Sequence, residues 1–252
     1  MKSVDIIVSC YNEEDNIYPF FNECTKYLTN NNIKYRILFC NDGSVDKTYD
    51  NILKLKKENI TKIEISCVSL VKNSGHEAAM CVGLDNSVAD YLIFIDCDMQ
   101  HPVSKINEII SKLDEGYDCI LLKRINYGNV SVVKKFLSFS FYYLSRYILR
   151  NNIEPQVSDF FAITNKVASL IKENYNTKLR FLRMFAQKES KNSFIINYEC
   201  VDRIYGKSKF NYMKLIKLAI VSELSRFKIF RNMFIPTDAK PIYKIDQNKT
   251  FV

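Results

Sequence analysis

Asp96 and Asp98 stand two residues apart in the run Asp96-Cys97-Asp98-Met99-Gln100-His101, just past an apolar stretch. Two carboxylates held this close repel each other unless a cation joins them. Hard divalent ions such as Mg²⁺ or Mn²⁺ take such oxygen ligands, commonly one or two carboxylates completed by substrate phosphates. The carbonyl oxygen of Gln100 is a third candidate ligand. An acidic loop that only caps the next helix would have the same spacing, so the pair gains meaning from its surroundings. Three polar clusters precede it: Tyr11-Asn12-Glu13-Glu14, Asn41-Asp42-Gly43-Ser44-Val45-Asp46 and Lys72-Asn73-Ser74-Gly75-His76. In the second of these, Ser44 or Asp46 is suited to cap a helix, and Asp42 to accept a hydrogen bond from a base ring N–H. The only two histidines, His76 and His101, fall in these clusters. They are too few for a histidine-rich metal site, and a lone loop histidine is ordinarily solvated.

Each cluster follows a run that reads as a strand. Residues 4–10, 35–40, 63–71 and 91–95 are short and apolar, rich in β-branched and aromatic side chains, and 119–122 is a fifth run of this kind. Between them lie helical spacings. One runs over about 15–29, one through Ile52, Leu53 and Leu55, one over about 76–86, and one carries Ile106, Ile109, Ile110 and Leu113 with Pro102 in its first turn. Five strand–helix alternations predict a doubly wound, Rossmann-like α/β fold: a mostly parallel central sheet flanked by helices, with a helical C-terminal extension. In a parallel sheet the four clusters emerge at the carboxyl ends of the strands, where open α/β sheets bind ligands. After Arg124 the alternation gives way to longer helices and one or two strands. The expected organisation is one unit over residues 1–235, with a nucleotide-sugar half to about 124, an acceptor half from about 125, and a tail over 236–252.

The bulk composition fits a folded protein: 252 residues, 47% hydrophobic and 25% charged, enough to bury one core. A net charge of +8 suits anionic partners without choosing among them. A nucleic-acid partner is not expected, because no recognised binding motif accompanies the charge. The eight cysteines are scattered without C-x-x-C or zinc spacing, and read as small buried hydrophobes in a reducing compartment. The first residues, Met1 to Asp5, lack the apolar stretch of a signal peptide, and no uncharged apolar run reaches the roughly 18 residues that cross a bilayer. The expectation is a cytoplasmic protein, peripheral on the membrane face if it meets a membrane at all. The dinucleotide and P-loop glycine patterns are both missing after the first strand.

The same clusters carry a family resemblance, over about residues 3–230. The chain resembles the family 2 glycosyltransferases of GT-A fold, especially the branch that includes dolichol-phosphate mannose synthase and the bacterial polyprenyl-phosphate glycosyltransferases. Ser9-Cys10-Tyr11-Asn12-Glu13 is similar to the family's Pro-x-Tyr-Asn-Glu, and Asn41-Asp42-Gly43-Ser44-Val45-Asp46 to its Asp-Asp-Gly-Ser-x-Asp. Lys72-Asn73-Ser74-Gly75-His76 and Asp96-Cys97-Asp98-Met99-Gln100-His101-Pro102 resemble its third and fourth motifs. Ser158-Asp159-Phe160 resembles Gly-Asp-Phe, and Arg203-Ile204-Tyr205-Gly206-Lys207-Ser208-Lys209-Phe210 resembles Arg-x-x-Gly-x-Ser-Lys-Tyr. Three departures stand out: Ser9 for proline, Asn41 for the first acid of the second motif, and Phe161 where close relatives often carry arginine.

The resemblance implies an inverting transferase that takes a sugar from a UDP- or GDP-sugar, with Mg²⁺ or Mn²⁺ on the diphosphate. Tyr11, Asn12, Glu13, Asp42, Asn73, His76 and Asp96 would bind the nucleotide, and Asp96, Asp98 and Gln100 the metal. Asp159, together with Asp98, would be catalytic, and Arg124, Arg203, Ser208 and Lys209 would bind acceptor or phosphate groups. The acceptor is a polyprenyl phosphate or a hydroxyl of a growing glycan. Asp159 is then a positioning group in the first case and a base in the second. A nucleotide-sugar-binding protein without turnover is a further alternative. The basic, aromatic-bearing stretches 130–150 and 212–234 suit either an anionic membrane surface or packing on the sheet or a partner copy. The sequence leaves open whether the chain forms a homo-oligomer.

Overall fold

A computed structural model describes residues 1–125, 154, 157–174, 182–199 and 243–252. Its first half follows the predicted alternation: β1 (Lys2–Cys10), α1 (Ile17–Tyr27), β2 (Ile33–Asn41), α2 (Thr48–Glu58), β3 (Glu64–Ser69), α3 (His76–Asp85), β4 (Tyr91–Asp96), α4 (Ile106–Asp114) and β5 (Cys119–Arg124). Then come β6 (Val157–Thr164), α5 (Asn165–Asn174), α6 (Leu182–Glu189) and β7 (Ser193–Tyr198). The seven strands form one sheet in the order β3-β2-β1-β4-β6-β5-β7.

The sheet is mostly parallel, as expected, with one antiparallel strand inside it. β3, β2, β1 and β4 run parallel, but β6 enters between β4 and β5 and pairs antiparallel with both. The short spacing of β4 and β5 along the chain hides this insertion, because neighbours in sequence need not be neighbours in the sheet. Pro102 is also displaced from its predicted place. It is extended and precedes a 3-10 turn at Val103–Lys105, and α4 begins only at Ile106. Its fixed φ starts the turn, and the predicted stripe of Ile106, Ile109, Ile110 and Leu113 is buried beyond it.

Strand alternation sorts the core onto two faces. Val4, Ile6 and Val8 of β1 pack with α1, α2 and α4, while Ile7 packs with α3, α5 and α6. Helix α3 lies close to the sheet because residue 83 is glycine: a Cβ there would meet Ile7 Cγ2 at 2.2 Å and Cys40 Sγ at 2.9 Å. Phe94 of β4 and Phe161 of β6 stack across the strand pair with ring centroids 4.6 Å apart, both fully buried on this face. Phe161 is therefore a core residue, and the position where relatives often carry arginine adds no side chain to the rim. The seven described cysteines are all buried and free.

Residues 243–252 return to the sheet. Ile245 bridges Leu70 and Phe251 bridges Cys67, both antiparallel, so this segment lies along the outer edge of β3. Val71 N donates to Lys244 O at 2.9 Å and Asp246 N to Ser69 O at 2.8 Å. Among the described residues, no helix is long and apolar enough to cross a membrane. The stretches 130–150 and 212–234, with Arg203, Ser208 and Lys209, lie outside the described residues.

Candidate active site

Strand register brings the clusters together. Cys10 pairs with Asn41, Asn41 with Ser69, and Ser9 with Asp96, so four parallel strands end side by side and their loops share one rim. The antiparallel pair Phe94–Phe161 sets Asp159 two residues toward that same rim, level with Asp96. Alternation then turns Ser9, Asp96 and Asp159 to the face of Ile7, Phe94 and Phe161, beneath the first turns of α3 and α6.

Asp96 is held by three neighbours. The Ser9 hydroxyl donates to its Oδ1 at 2.7 Å, His76 Nδ1 lies 3.5 Å from Oδ1, and His101 Nε2 lies 3.5 Å from Oδ2. Ser9, the residue that replaces the family proline, is thus a direct ligand of the acidic pair. Burial would push the Asp96 carboxyl up, but His76 and His101 outweigh it and hold it at about 2. His76 bridges to the second carboxylate, with Nε2 3.6 Å from Asp159 Oδ2. Burial pulls His76 down, yet Asp96, Asp159 and Glu77 together raise it to about 10. Asp159 also accepts from Arg183 Nη1 at 2.7 Å. Burial would raise its carboxyl, but Arg183 and His76 hold it well below the usual carboxylate range. Glu77 goes the other way: burial, then Asp159, lifts it to about 7 against His76 and Arg183.

His101 is buried, unlike an ordinary loop histidine, because Phe160 and Tyr198 pack around it. Its Nδ1 lies 2.8 Å from the Tyr198 hydroxyl, to which Arg124 Nε donates at 2.9 Å. A chain of polar contacts thus runs Asp96–His101–Tyr198–Arg124 and links the predicted phosphate-binding Arg124 to Asp96 through two side chains.

The second and third loops are locked to each other. Asp42 is buried and accepts from Ser74 N at 2.6 Å on Oδ1 and from Gly75 N at 2.9 Å on Oδ2. Burial raises its carboxyl, and those two amides oppose the rise. Asn41 is buried too. Its amide donates to Ser69 Oγ at 3.0 Å and its carbonyl accepts from Ser44 N at 3.1 Å, so the residue that replaces an acid braces the loop. Asn12, at φ 53, clamps the first loop to the second: its N donates to Ser44 Oγ and its Oδ1 accepts from Val45 N, both at 3.0 Å. Glu13 N donates to Thr48 Oγ1 at 2.8 Å, and Asp46 Oδ1 accepts from Thr48 N at 3.0 Å, although the N-cap position of α2 itself falls on Lys47, one residue later than expected. Tyr11 is half-buried in the first loop, and Asn73 is exposed in the third.

Asp98 is 6% exposed and accepts from Gln100 N at 3.2 Å across Met99, whose φ of 60 kinks the loop. Among the described residues no three His, Cys, Asp or Glu side chains form a ready metal cage. The donor set does fit a hard divalent ion shared with phosphates, since one or two carboxylate oxygens suffice there. Three residues escape a reading of the sequence. Arg183 sits among the buried Leu182, Met184, Phe185 and Ala186 of an amphipathic helix, Tyr198 ends an edge strand, and Glu77 is the second residue of α3. Their only signal in the sequence was Glu77's place beside His76.

The comparisons with known proteins agree with this geometry. The family model "Glycosyl transferase family 2" matches residues 5–170. A glycosyltransferase of Synechocystis sp. is 32% identical over 218 residues, 86% of this chain and 67% of that protein. A prophage bactoprenol glucosyl transferase homolog of Escherichia coli is 30% identical over 228 residues, 90% of this chain and 73% of that protein. Glucosyl-3-phosphoglycerate synthase from Mycobacterium tuberculosis, solved with Mn²⁺, UDP and phosphoglyceric acid, aligns at TM-score 0.60 and 14% identity, covering 89% of this chain and 78% of that one. S. aureus TarS 1-349 with UDP-GlcNAc aligns at TM-score 0.55 and 17% identity, covering 90% and 68%. These structures share the GT-A fold. With its acidic pair past β4 and its carboxylate on β6 facing one rim, the chain belongs to glycosyl transferase family 2.

Proposed function

We propose that the chain transfers a sugar from a UDP- or GDP-sugar to a polyprenyl phosphate, with Mg²⁺ or Mn²⁺ on the diphosphate. The observation that carries this reading is the junction at His76, whose two ring nitrogens face Asp96 at 3.5 Å and Asp159 at 3.6 Å. Donor-side and acceptor-side carboxylates therefore share one small volume. The UDP and Mn²⁺ of the solved neighbours, and the bactoprenol in the names of several relatives, support the substrate classes.

In this reading Asp98, with Asp96 and Gln100, would hold the ion, which would supply positive charge against the leaving nucleoside diphosphate. Tyr11, Asn12, Glu13, Asp42, Asn73 and His76 form the nucleotide side. Asp42 keeps lone pairs for a base N–H even while it accepts two amides. Asp159 orients the acceptor. Its ion pair with Arg183 makes it a weak proton acceptor, and a general base works best with a pKa near the operating pH. A phosphate monoester, with a second pKa of about 6, arrives largely ionised at neutral pH and has no proton that the site must remove. Arg124, Arg203, Ser208 and Lys209 meet that phosphate, and the division into a nucleotide half to about 124 and an acceptor half from about 125 to 235 belongs to the same proposal. So does a place on the cytoplasmic membrane face.

A panel of UDP- and GDP-sugars tests the donor side. One base series should raise the melting temperature in the presence of Mn²⁺ or Mg²⁺ and lose most of that shift with chelator, because a bound ligand stabilises by mass action. Equal, metal-independent shifts for all nucleotides, or none, would reject the reading.

A further inference from the structure

Asp159 is fixed from outside its own strand. Arg183 Nη1 donates to Asp159 Oδ1 at 2.7 Å, and each side chain is 33% exposed. Arg183 is the second residue of α6, and its neighbours Leu182, Met184, Phe185 and Ala186 are all buried. The helix cannot turn the guanidinium away without giving up that packing. The start of α6 is in turn tied to α3, because Leu182 N donates to Glu77 Oε2 at 3.4 Å. His76 and Glu77, adjacent on α3, thus reach Asp159 by two routes: His76 directly at its Oδ2, and Glu77 through α6 and Arg183. Without a cation on Oδ1, Asp159 would sit at the same rim as Asp96 and Asp98 with less to offset their repulsion.

We propose that Arg183 is a positioning residue for sugar transfer: it fixes the carboxylate of Asp159 toward the acceptor, and Glu77 fixes the helix that carries it. The inference rests on the rim being the transfer site. The competing account is an ordinary half-exposed ion pair, which contributes little to anything.

The test uses the full chain, a labelled nucleotide-sugar, polyprenyl phosphate as acceptor, and the variants R183A, R183K, D159N and R183A/D159N. R183A should lower kcat by about 10²-fold while leaving the donor KM within a few-fold, as expected when a reacting group is misplaced rather than a ligand lost. R183K should recover part of that loss, since it keeps the charge but not the planar fork. In the D159N background R183A should cost little more, because two residues acting as one unit are not additive. Where R183A does not fold, Arg183→Met keeps the aliphatic stem and replaces it in the same cycle. Full additivity with D159N, or an R183A kcat near the wild-type value, would overturn the role given to Arg183 while leaving the site reading intact. A wild type that transfers no sugar would overturn the site reading itself, and the proposal with it.

Discussion

Asp98 and Glu77 show how differently single side chains depend on their surroundings. Asp98 lies in a short kinked loop, where its Oδ1 accepts from Gln100 N, a bond that the side-chain oxygen of an asparagine would keep. Asp98→Asn should therefore keep the fold and lose turnover by about 10²- to 10³-fold, the scale of one preorganised electrostatic contact. Transfer assays beside thermal melts check this, and near-normal turnover in excess chelator would remove the metal from the account. Glu77 is raised from 4.5 to about 7 by burial and by Asp159. A group raised on folding stabilises fully below its unfolded pKa and loses that contribution as pH rises through its folded value. The window is thus about pH 4.5 to 7. Glu77→Gln, which keeps an oxygen for Leu182 N, should gain stability relative to wild type between melts at pH 4.5 and pH 8. A constant difference across that window would show that Glu77 does not titrate there. At this scale the acidic pair was legible because both carboxylates are close in the chain. Arg183 and Tyr198 were not, because only the fold brings them to Asp159 and His101.

Loops on one rim act as a unit when their backbones touch. Gly43, at φ 65, lies against the third loop, and a Cβ there would meet the Lys72 carbonyl carbon at 2.4 Å and Asn73 N at 2.7 Å. Both obstacles are backbone, so no side chain can swing aside. Gly43→Ala should cost at least about 1 kcal/mol, from the left-handed strain alone, and more from the collision. Because Asp42 is bonded to Ser74 and Gly75, the same change should also weaken nucleotide binding. Denaturant melts and a nucleotide titration measure the two effects, and an unchanged titration would separate the loop pair from the site. The strands and helices of the first half were readable because apolar runs of two different periods alternate with turn residues. The insertion of β6 was not, because strand order is decided by tertiary pairing such as Phe94 on Phe161, and its short run carries no mark of direction.

The sheet as a whole has one edge that the chain covers itself. β3 would present unpaired amides and carbonyls, but residues 243–252 bond to Cys67, Ser69 and Val71. Tyr243 also bonds to Asp85 on α3, and Lys56 lies over the ring of Phe251 at 4.1 Å. Removing 243–252 should lower the melting temperature and promote association through β3, because bare edge strands template pairing. Size-exclusion chromatography beside a melt would show it, and a monomer of unchanged stability would mean that the segment is only an ornament of the edge. The sequence set 236–252 apart as a tail, but nothing in its spacing said which strand it would meet. The central claim is that the β4 and β6 carboxylates serve one sugar transfer to a lipid phosphate. Its most direct test is labelled sugar moving from a nucleotide-sugar to polyprenyl phosphate, with and without chelator, for the wild type beside Asp98→Asn and Asp159→Asn. The account predicts metal-dependent transfer by the wild type and a loss of about 10²-fold or more in each variant; transfer that survives both substitutions, or goes only to a glycan hydroxyl, would contradict it.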